Sequence, residues 1–156
     1  MYGSLSPQEI EQVLYRQVLG RIGCHADDTT YIVPINFAYD GEFVYCYTQP
    51  GMKINLMRSN PRVCFQTDMI ENMANWQSVV LWGRFEELTE DGDRQVALKK
   101  LRAHVMPLAT SERIRQSRDW PFNDDHDGVV KGIVFRIRIT QKTGRYERSL
   151  QSAPIA

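Results

Sequence analysis

Hydrophobic residues recur along this chain with two different periods, one helical and one of the β type. At the start, residues 6–9 (SPQE) have the form of a capping box with proline at the first helical position. Apolar residues then follow at the three- and four-residue spacing of one helix face, at Ile10, Val13, Leu14 and Val18. This pattern predicts a helix over 6–19, which Gly20 ends.

From residue 21 the spacing changes to that of β-strands. Segment 31–39 (YIVPINFAY) is rich in β-branched and aromatic residues, and a DG turn signal joins it to a returning strand over 42–48. Because proline cannot donate to a ladder, Pro34 predicts a sheet edge or a bulge inside the first of these strands. Two further strands are predicted over 63–69 and 78–88.

The last strand has the clearest alternation in the chain. Over 132–140 (GIVFRIRIT), apolar residues alternate with arginine and threonine. The intervening pattern predicts a short helix over 53–59 and a helical insertion over 90–118. Strands joined by hairpins, with a few helices outside them, predict a mostly antiparallel β-barrel, and no Rossmann or P-loop glycine motif follows any strand.

The charge balance excludes one broad class of function. The 156 residues contain 19 basic and 19 acidic side chains, so a uniformly basic nucleic-acid-binding domain is not expected. The basic residues are nevertheless unevenly placed. Residues 51–62 hold three bases and no acid, and residues 128–156 hold six bases and one acid. Anion binding at a local site therefore stays open.

Apolar runs, the first residues and the cysteine spacing indicate where in the cell the protein is expected. No apolar run approaches the roughly 18 residues that a membrane-spanning helix needs, so no membrane partner is expected. The first residues lack a basic stretch followed by an apolar one, and the three cysteines are widely spaced without a CxxC pair. These observations predict a protein of the reducing cytoplasm without a disulfide framework.

Two local patterns could carry chemistry. Gly51-Met52-Lys53 stands where a strand ends and a helix begins, and backbone N–H groups with a lysine beside them can bind a phosphate. Cys24 and His25 are adjacent in a predicted strand and point to opposite faces, so they cannot easily share one ion. Without paired histidines or an HExxH motif, no metal site is predicted.

The sequence resembles the pyridoxamine 5′-phosphate oxidase-like FMN-binding split-barrel superfamily. The resemblance lies in YIVPINFAYDGEFVYCYTQPGMKINLMRSNPRVCF and SVVLWGRFEEL, whose motifs stand in the family's order from residue 20 to 88. A looser match continues at Thr143-Gly144-Arg145, and the branch of nitroimidazole-resistance reductases is nearest. It implies an antiparallel split β-barrel of about six strands, Greek-key-like, with flanking α-helices.

The resemblance also implies how the chain is organised and what it binds. It implies a single domain over 1–156, with an N-terminal helix at 6–19, barrel segments at 21–88 and 130–140, and the insertion at 90–118. FMN is the implied cofactor, bound at the interface of a homodimer. The implied FMN contacts are Tyr31, Val33, Pro34, Asn36, Tyr47, Thr48, Met52, Lys53 and Ser78, with Trp120 and Arg145 as partner contributions.

The function implied by the resemblance is electron transfer from a reduced nicotinamide, or another donor, to a small organic acceptor such as a nitro compound. The alternative is a non-catalytic flavin- or heme-binding or sensing module of the same fold. Tyr47 stands where many nitroimidazole-resistance proteins have histidine, which argues against nitroimidazole as the acceptor. The chain ends without the oxidase's arginine- and tryptophan-containing segment, which argues against pyridoxamine-phosphate oxidation.

Overall fold

One antiparallel sheet and three helices make up the described part of the chain, residues 1–105 and 131–150 of the computed structural model. The helices are α1 (Pro7–Arg16), α2 (Met52–Ser59) and α3 (Asp91–Val105). The strands are β1 (Tyr2–Ser4), β2 (Leu19–Ala26), β3 (Thr29–Asn36), β4 (Ala38–Tyr39), β5 (Phe43–Thr48), β6 (Arg62–Asn72), β7 (Asn75–Leu88) and β8 (Ile133–Glu147).

The sheet curls until its two ends come together. Its strand order is β3-β2-β6-β7-β8-β5-β4, with β1 added beside β8. The two end strands, β3 and β4, are consecutive in sequence, and only the fully buried Phe37 separates them. A sheet whose ends are joined by one residue is a nearly closed barrel, which confirms the predicted mostly antiparallel split-barrel fold.

The first helix begins as predicted and ends earlier. Ser6 Oγ accepts a hydrogen bond from Glu9 N at 3.2 Å, and the Glu9 carboxylate accepts one from Ser6 N at 2.8 Å. The helix spans Pro7–Arg16 instead of 6–19 because Gln17 is already extended, with φ −83° and ψ 151°, and the chain then enters the sheet, where Val18 O accepts from Phe37 N at 3.0 Å. β2 then starts at Leu19, before the predicted 21.

Several strands extend beyond the bounds that the sequence pattern predicted. β8 runs to Glu147, beyond the predicted 140, because the 14-residue β7 supplies partners along its length. β6 and β7 likewise extend to a tight turn at 73–74. With the short β1 and β4, the described residues contain eight strands instead of about six. The predicted insertion is helical over Asp91–Val105, and its remainder, 106–118, lies outside the described residues.

Two hydrophobic cores lie on opposite faces of the sheet. The larger fills the barrel, where α1 contributes Val13 and Leu14, and α2 contributes Ile54 and Met57. The smaller lies between α3 and the outer face of β4, β5 and β8. No described helix covers the outer face of β3, β2, β6 and β7, which we call the uncovered face. None of the described helices is long and apolar enough to cross a membrane.

Candidate functional site

Two strand edges without partners face each other where the barrel is split. β3 pairs with β2 along one edge, and no described strand pairs with its other edge. β4 pairs with β5 only at Val44 and Tyr45, so the edge of β5 beyond them, at 46–48, is likewise open among the described strands. β3 and β5 approach within 8 Å between Cα atoms. The split therefore offers backbone donors and acceptors to a ligand.

The predicted contacts on β3 are divided between its two faces. Tyr31 and Val33 pack against the inner core, whereas Pro34 and Asn36 are exposed on the other face. Asn36 Nδ2 donates to Val18 O at 3.1 Å. Pro34 lies on an edge strand opposite Arg21, as the missing N–H predicts. A ligand in the split would thus meet the side chains of Tyr31 and Val33 and the backbone of the strand.

The end of β5 is held in place by hydrogen bonds. Tyr47 Oη donates to the Lys131 carbonyl and accepts from Gln49 Nε2. A Cβ at Gly132 would lie 2.5 Å from Tyr47 Oη, so only glycine fits beside the ring. Thr48 is buried, and its Oγ1 donates to Gln49 O at 3.2 Å. The Tyr47 ring therefore has a fixed orientation at the split.

The start of α2 has the features of an anion site. No side chain caps this helix, and a Cβ added at Gly51 would meet nothing within 4 Å. Met52 is exposed, whereas Lys53 is half-buried and makes no hydrogen bond or salt bridge with the described residues. Open space, uncapped N–H groups and a cation fit a phosphate group.

Lys53 stands at the start of a helix that enters the barrel. The next residue, Ile54, and Met57 belong to the barrel core, and α2 packs against β2. Burial raises the pKa of the Cys24 and Cys46 thiols, on β2 and β5, and the positive charge of Lys53 opposes the rise at both. Because β2 is the ladder partner of β3, the helix that carries Lys53 lies one strand from the open edge of β3.

The other predicted contacts lie elsewhere. Ser78 and Arg145 are cross-strand partners on β7 and β8, and β3 is separated from β7 by two strands. Ser78 Oγ accepts from Gln66 Nε2 at 3.0 Å, and Arg145 Nη1 donates to Ser4 Oγ at 3.2 Å. Trp120 lies outside the described residues. The sequence did not single out Gln66, which reaches Ser78 diagonally across the β6–β7 pair, where the ladder partner of Ser78 is Asp68.

The uncovered face exposes several large apolar side chains among its polar ones. Large hydrophobic residues exposed on it or at its edge are Tyr2, Leu19, Ile32, Ile70 and Trp82.

Two grooves, of about 610 and 490 Å³, border α1, and none of the predicted cofactor residues lines either. Among the described residues, no group of three His, Cys, Asp or Glu side chains could hold a metal ion.

Comparison with known proteins identifies the family of the chain. A model of the pyridoxamine 5′-phosphate oxidase family matches residues 6–146. The chain belongs to that family. An uncharacterized protein of Rhizobium meliloti (strain 1021) is 43% identical over 150 residues, which cover 90% of this chain and 92% of that protein.

Solved structures show the same fold. The crystal structure of a FAD-binding protein from Mesorhizobium loti has a TM-score of 0.74 and 31% identity, and the match covers 94% of this chain and 98% of that one. A candidate 5-nitroimidazole antibiotic resistance protein from Bacteroides thetaiotaomicron has a TM-score of 0.69 at 19% identity, over 94% of this chain and 87% of that one. The latter likeness concerns the fold alone.

Proposed function

We propose that this chain is a flavoprotein oxidoreductase that binds FMN in the split between β3 and β5. The observation that carries the proposal is Lys53, an unpartnered cation among the described residues, at the uncapped start of a helix that packs against β2, the ladder partner of β3. Membership of the pyridoxamine 5′-phosphate oxidase family supports the proposal. So does the likeness to a Mesorhizobium loti protein whose structure is described as FAD-binding.

The residues at the split have distinct tasks in this proposal. Lys53 holds the phosphate, and the fixed ring of Tyr47 flanks the bound group. Backbone N–H groups along the open edge of β3 stabilise negative charge at the polar edge of the ring system, and Tyr31 and Val33 exclude water. The bound flavin supplies two-electron transfer between a reduced nicotinamide, or another donor, and a small organic acceptor, with nitro compounds as one class to assay.

A second copy of the chain completes each site in this proposal. Ser78 lies on the uncovered face and Arg145 beside it on β8, and strands of the same chain separate both from the split. Tyr2, Leu19 and Ile70 are exposed apolar residues towards the same end of these strands. Exposed apolar residues rimmed by polar ones are typical of a protein–protein interface. In a homodimer that buries this end of the face, Ser78 and Arg145 contact the FMN of the partner copy.

The experiment is a titration with FMN, followed by visible absorbance and melting temperature. We expect the wild type to bind FMN and Lys53→Met to weaken binding by about tenfold, because one charge-assisted phosphate contact is lost. Lys53→Arg should keep most of the affinity, and Lys99→Met on the exposed face of α3 is the control. A protein without absorbance near that of flavin, and without a melting shift on adding FMN, would refute the proposal.

Turnover is tested separately on the FMN-loaded protein. Addition of NADH or NADPH without oxygen should bleach the flavin absorbance, and an organic acceptor should restore it. A flavin that stays oxidised with both NADH and NADPH would exclude a nicotinamide as the donor and would favour the non-catalytic flavin-binding class.

A further inference from the structure

Two arginines stand directly opposite each other on the uncovered face. Arg62 of β6 and Arg84 of β7 are ladder partners, and both are exposed. Neither makes a salt bridge with any described residue. Directly opposed residues have Cβ atoms only about 5 Å apart, and like charges in such pairs destabilise a sheet. The fold therefore keeps two repelling cations together without an acid between them.

A third arginine continues this row of ladder partners on the next strand, and unlike the first two it is paired with acids of the chain. Arg138 of β8 is the ladder partner of Arg84, and its guanidinium pairs with Glu86 at 3.3 Å and with Glu42 at 3.8 Å. It also lies over the Phe43 ring. The chain thus neutralises one member of the row with its own acids and leaves the other two available for an external anion.

A flat apolar surface adjoins the arginine pair. Trp82 is 41% exposed and lies one row from Arg84, opposite Cys64. Beyond Cys64 the row continues with Gly23, where a Cβ would lie 2.6 Å from Cys64 Sγ. The row beside the indole of Trp82 therefore holds only the Cys64 thiol and the Gly23 backbone, a low surface that a planar group can occupy.

A β-bulge separates Trp82 from the arginine row. The β7–β8 register shifts between Trp82 and Gly83, and Thr140 Oγ1 donates to the Trp82 carbonyl at 3.1 Å. The extra residue of the bulge lies on β8, since β7 keeps its regular pairing with β6 from Trp82 to Arg84. Trp82 and Arg84 therefore project from the same face of β7, two residues apart.

We propose that Arg62, Arg84 and Trp82 bind the adenosine diphosphate moiety of a dinucleotide. Two guanidinium groups match a diphosphate, because each can form paired hydrogen bonds to phosphate oxygens. An exposed indole beside them provides a stacking surface for adenine. The inference rests on the proposed function, since a flavin oxidoreductase meets this moiety either in FAD or in its nicotinamide donor. FMN lacks it, and its single phosphate is assigned to Lys53.

The test measures ADP binding to the FMN-loaded protein by calorimetry. We expect the wild type to bind ADP, and the double variant Arg62→Gln/Arg84→Gln to bind it at least about tenfold more weakly. Trp82→Ala should weaken ADP binding without affecting inorganic pyrophosphate, and Arg102→Gln on α3 is the matched control. Because the substitution removes a repulsion, the double variant should melt no lower than the wild type.

Two further measurements identify the source of the moiety. If it belongs to the cofactor, the wild type binds FAD more tightly than FMN and the double variant loses that preference. If it belongs to the donor, the two flavins bind alike and the KM for NADPH rises about tenfold in the double variant at unchanged kcat. A wild type that does not bind ADP, or a double variant that binds it equally well, overturns the inference. Failure of the FMN titration would instead reject the proposed function.

Discussion

At the scale of single residues, Asp40 ties the third helix to the barrel. Its carboxylate accepts hydrogen bonds from Lys100 Nζ at 2.8 Å, Tyr45 Oη at 2.9 Å and the backbone N–H of Phe43 at 2.8 Å. Burial alone would raise the pKa of Asp40, and these donors outweigh it and lower the pKa to about 2. The side chain is only 23% exposed, so solvent screens the Lys100 pair incompletely.

The lowered pKa of Asp40 predicts how stability changes with pH. The ionised form is favoured in the folded protein, so its stabilising contribution is present above the unfolded pKa of about 4 and is lost as pH falls towards 2. At pH 7, Asp40→Asn should reduce the free energy of unfolding by about 2 kcal/mol. The difference from wild type should shrink as the pH falls from about 5 to about 2.

Urea unfolding of both proteins across this pH range measures the effect. Glu71→Gln, in an exposed position on β6, is the control and should leave the free energy of unfolding nearly unchanged at every pH. A difference between wild type and Asp40→Asn that stays constant from pH 7 to pH 2 would contradict the assigned pKa.

At the scale of elements, the close pairing of β7 with β8 requires a glycine, Gly83, beside their bulge. A Cβ at Gly83 would lie 2.3 Å from the Arg138 carbonyl oxygen and 2.7 Å from Ile137 Cγ2. The first of these atoms belongs to the backbone of the neighbouring strand. It cannot move away without separating the two longest strands of the sheet.

Gly83→Ala should therefore destabilise the protein by roughly 2–3 kcal/mol, the upper range for overpacking in a core. Thermal or urea unfolding measures it. Gly92→Ala is the matched control, because Gly92 lies in the first turn of α3 with nothing within 4 Å of an added Cβ. That substitution should leave stability equal or raise it by up to about 1 kcal/mol. Equal destabilisation by both would show that the close contact at Gly83 is not responsible.

Element types could be predicted from the sequence better than element lengths. The capping box at Ser6 and the alternation after Gly132 are local patterns, and both elements form where they were expected. The end of β8 could not be predicted, because the bulge opposite Trp82 breaks the alternation and the strand continues only through pairing with β7. Tyr2–Ser4 is too short to show a hydrophobic period, and it forms a strand because it pairs with β8.

At the scale of the whole molecule, the candidate site depends on closure of the barrel. The sequence predicted Lys53 at a helix start, and the structure has it in the first turn of α2, which packs against β2. The alternation of a strand already predicts that Pro34 and Asn36 face away from Tyr31 and Val33, and the contacts assigned by resemblance did not take it into account. The sequence could not show that Arg62 and Arg84 are neighbours, since they are 22 positions apart and meet only through the β6–β7 register.

The proposed homodimer predicts an effect of charge on the uncovered face. Ile70 is 67% exposed at the edge of the surface around Ser78 and Arg145, so Ile70→Glu introduces a charge that a dimer would have to bury. We expect the wild type to run as a dimer in size-exclusion chromatography with light scattering, and Ile70→Glu to shift it towards the monomer. Since Ser78 and Arg145 serve the partner's FMN in this proposal, FMN affinity should fall with the loss of the dimer. Val96→Glu, on α3 and 54% exposed, is the control and should change neither the mass nor the affinity. A wild type that is monomeric and binds FMN at full affinity would show that the split alone forms the site.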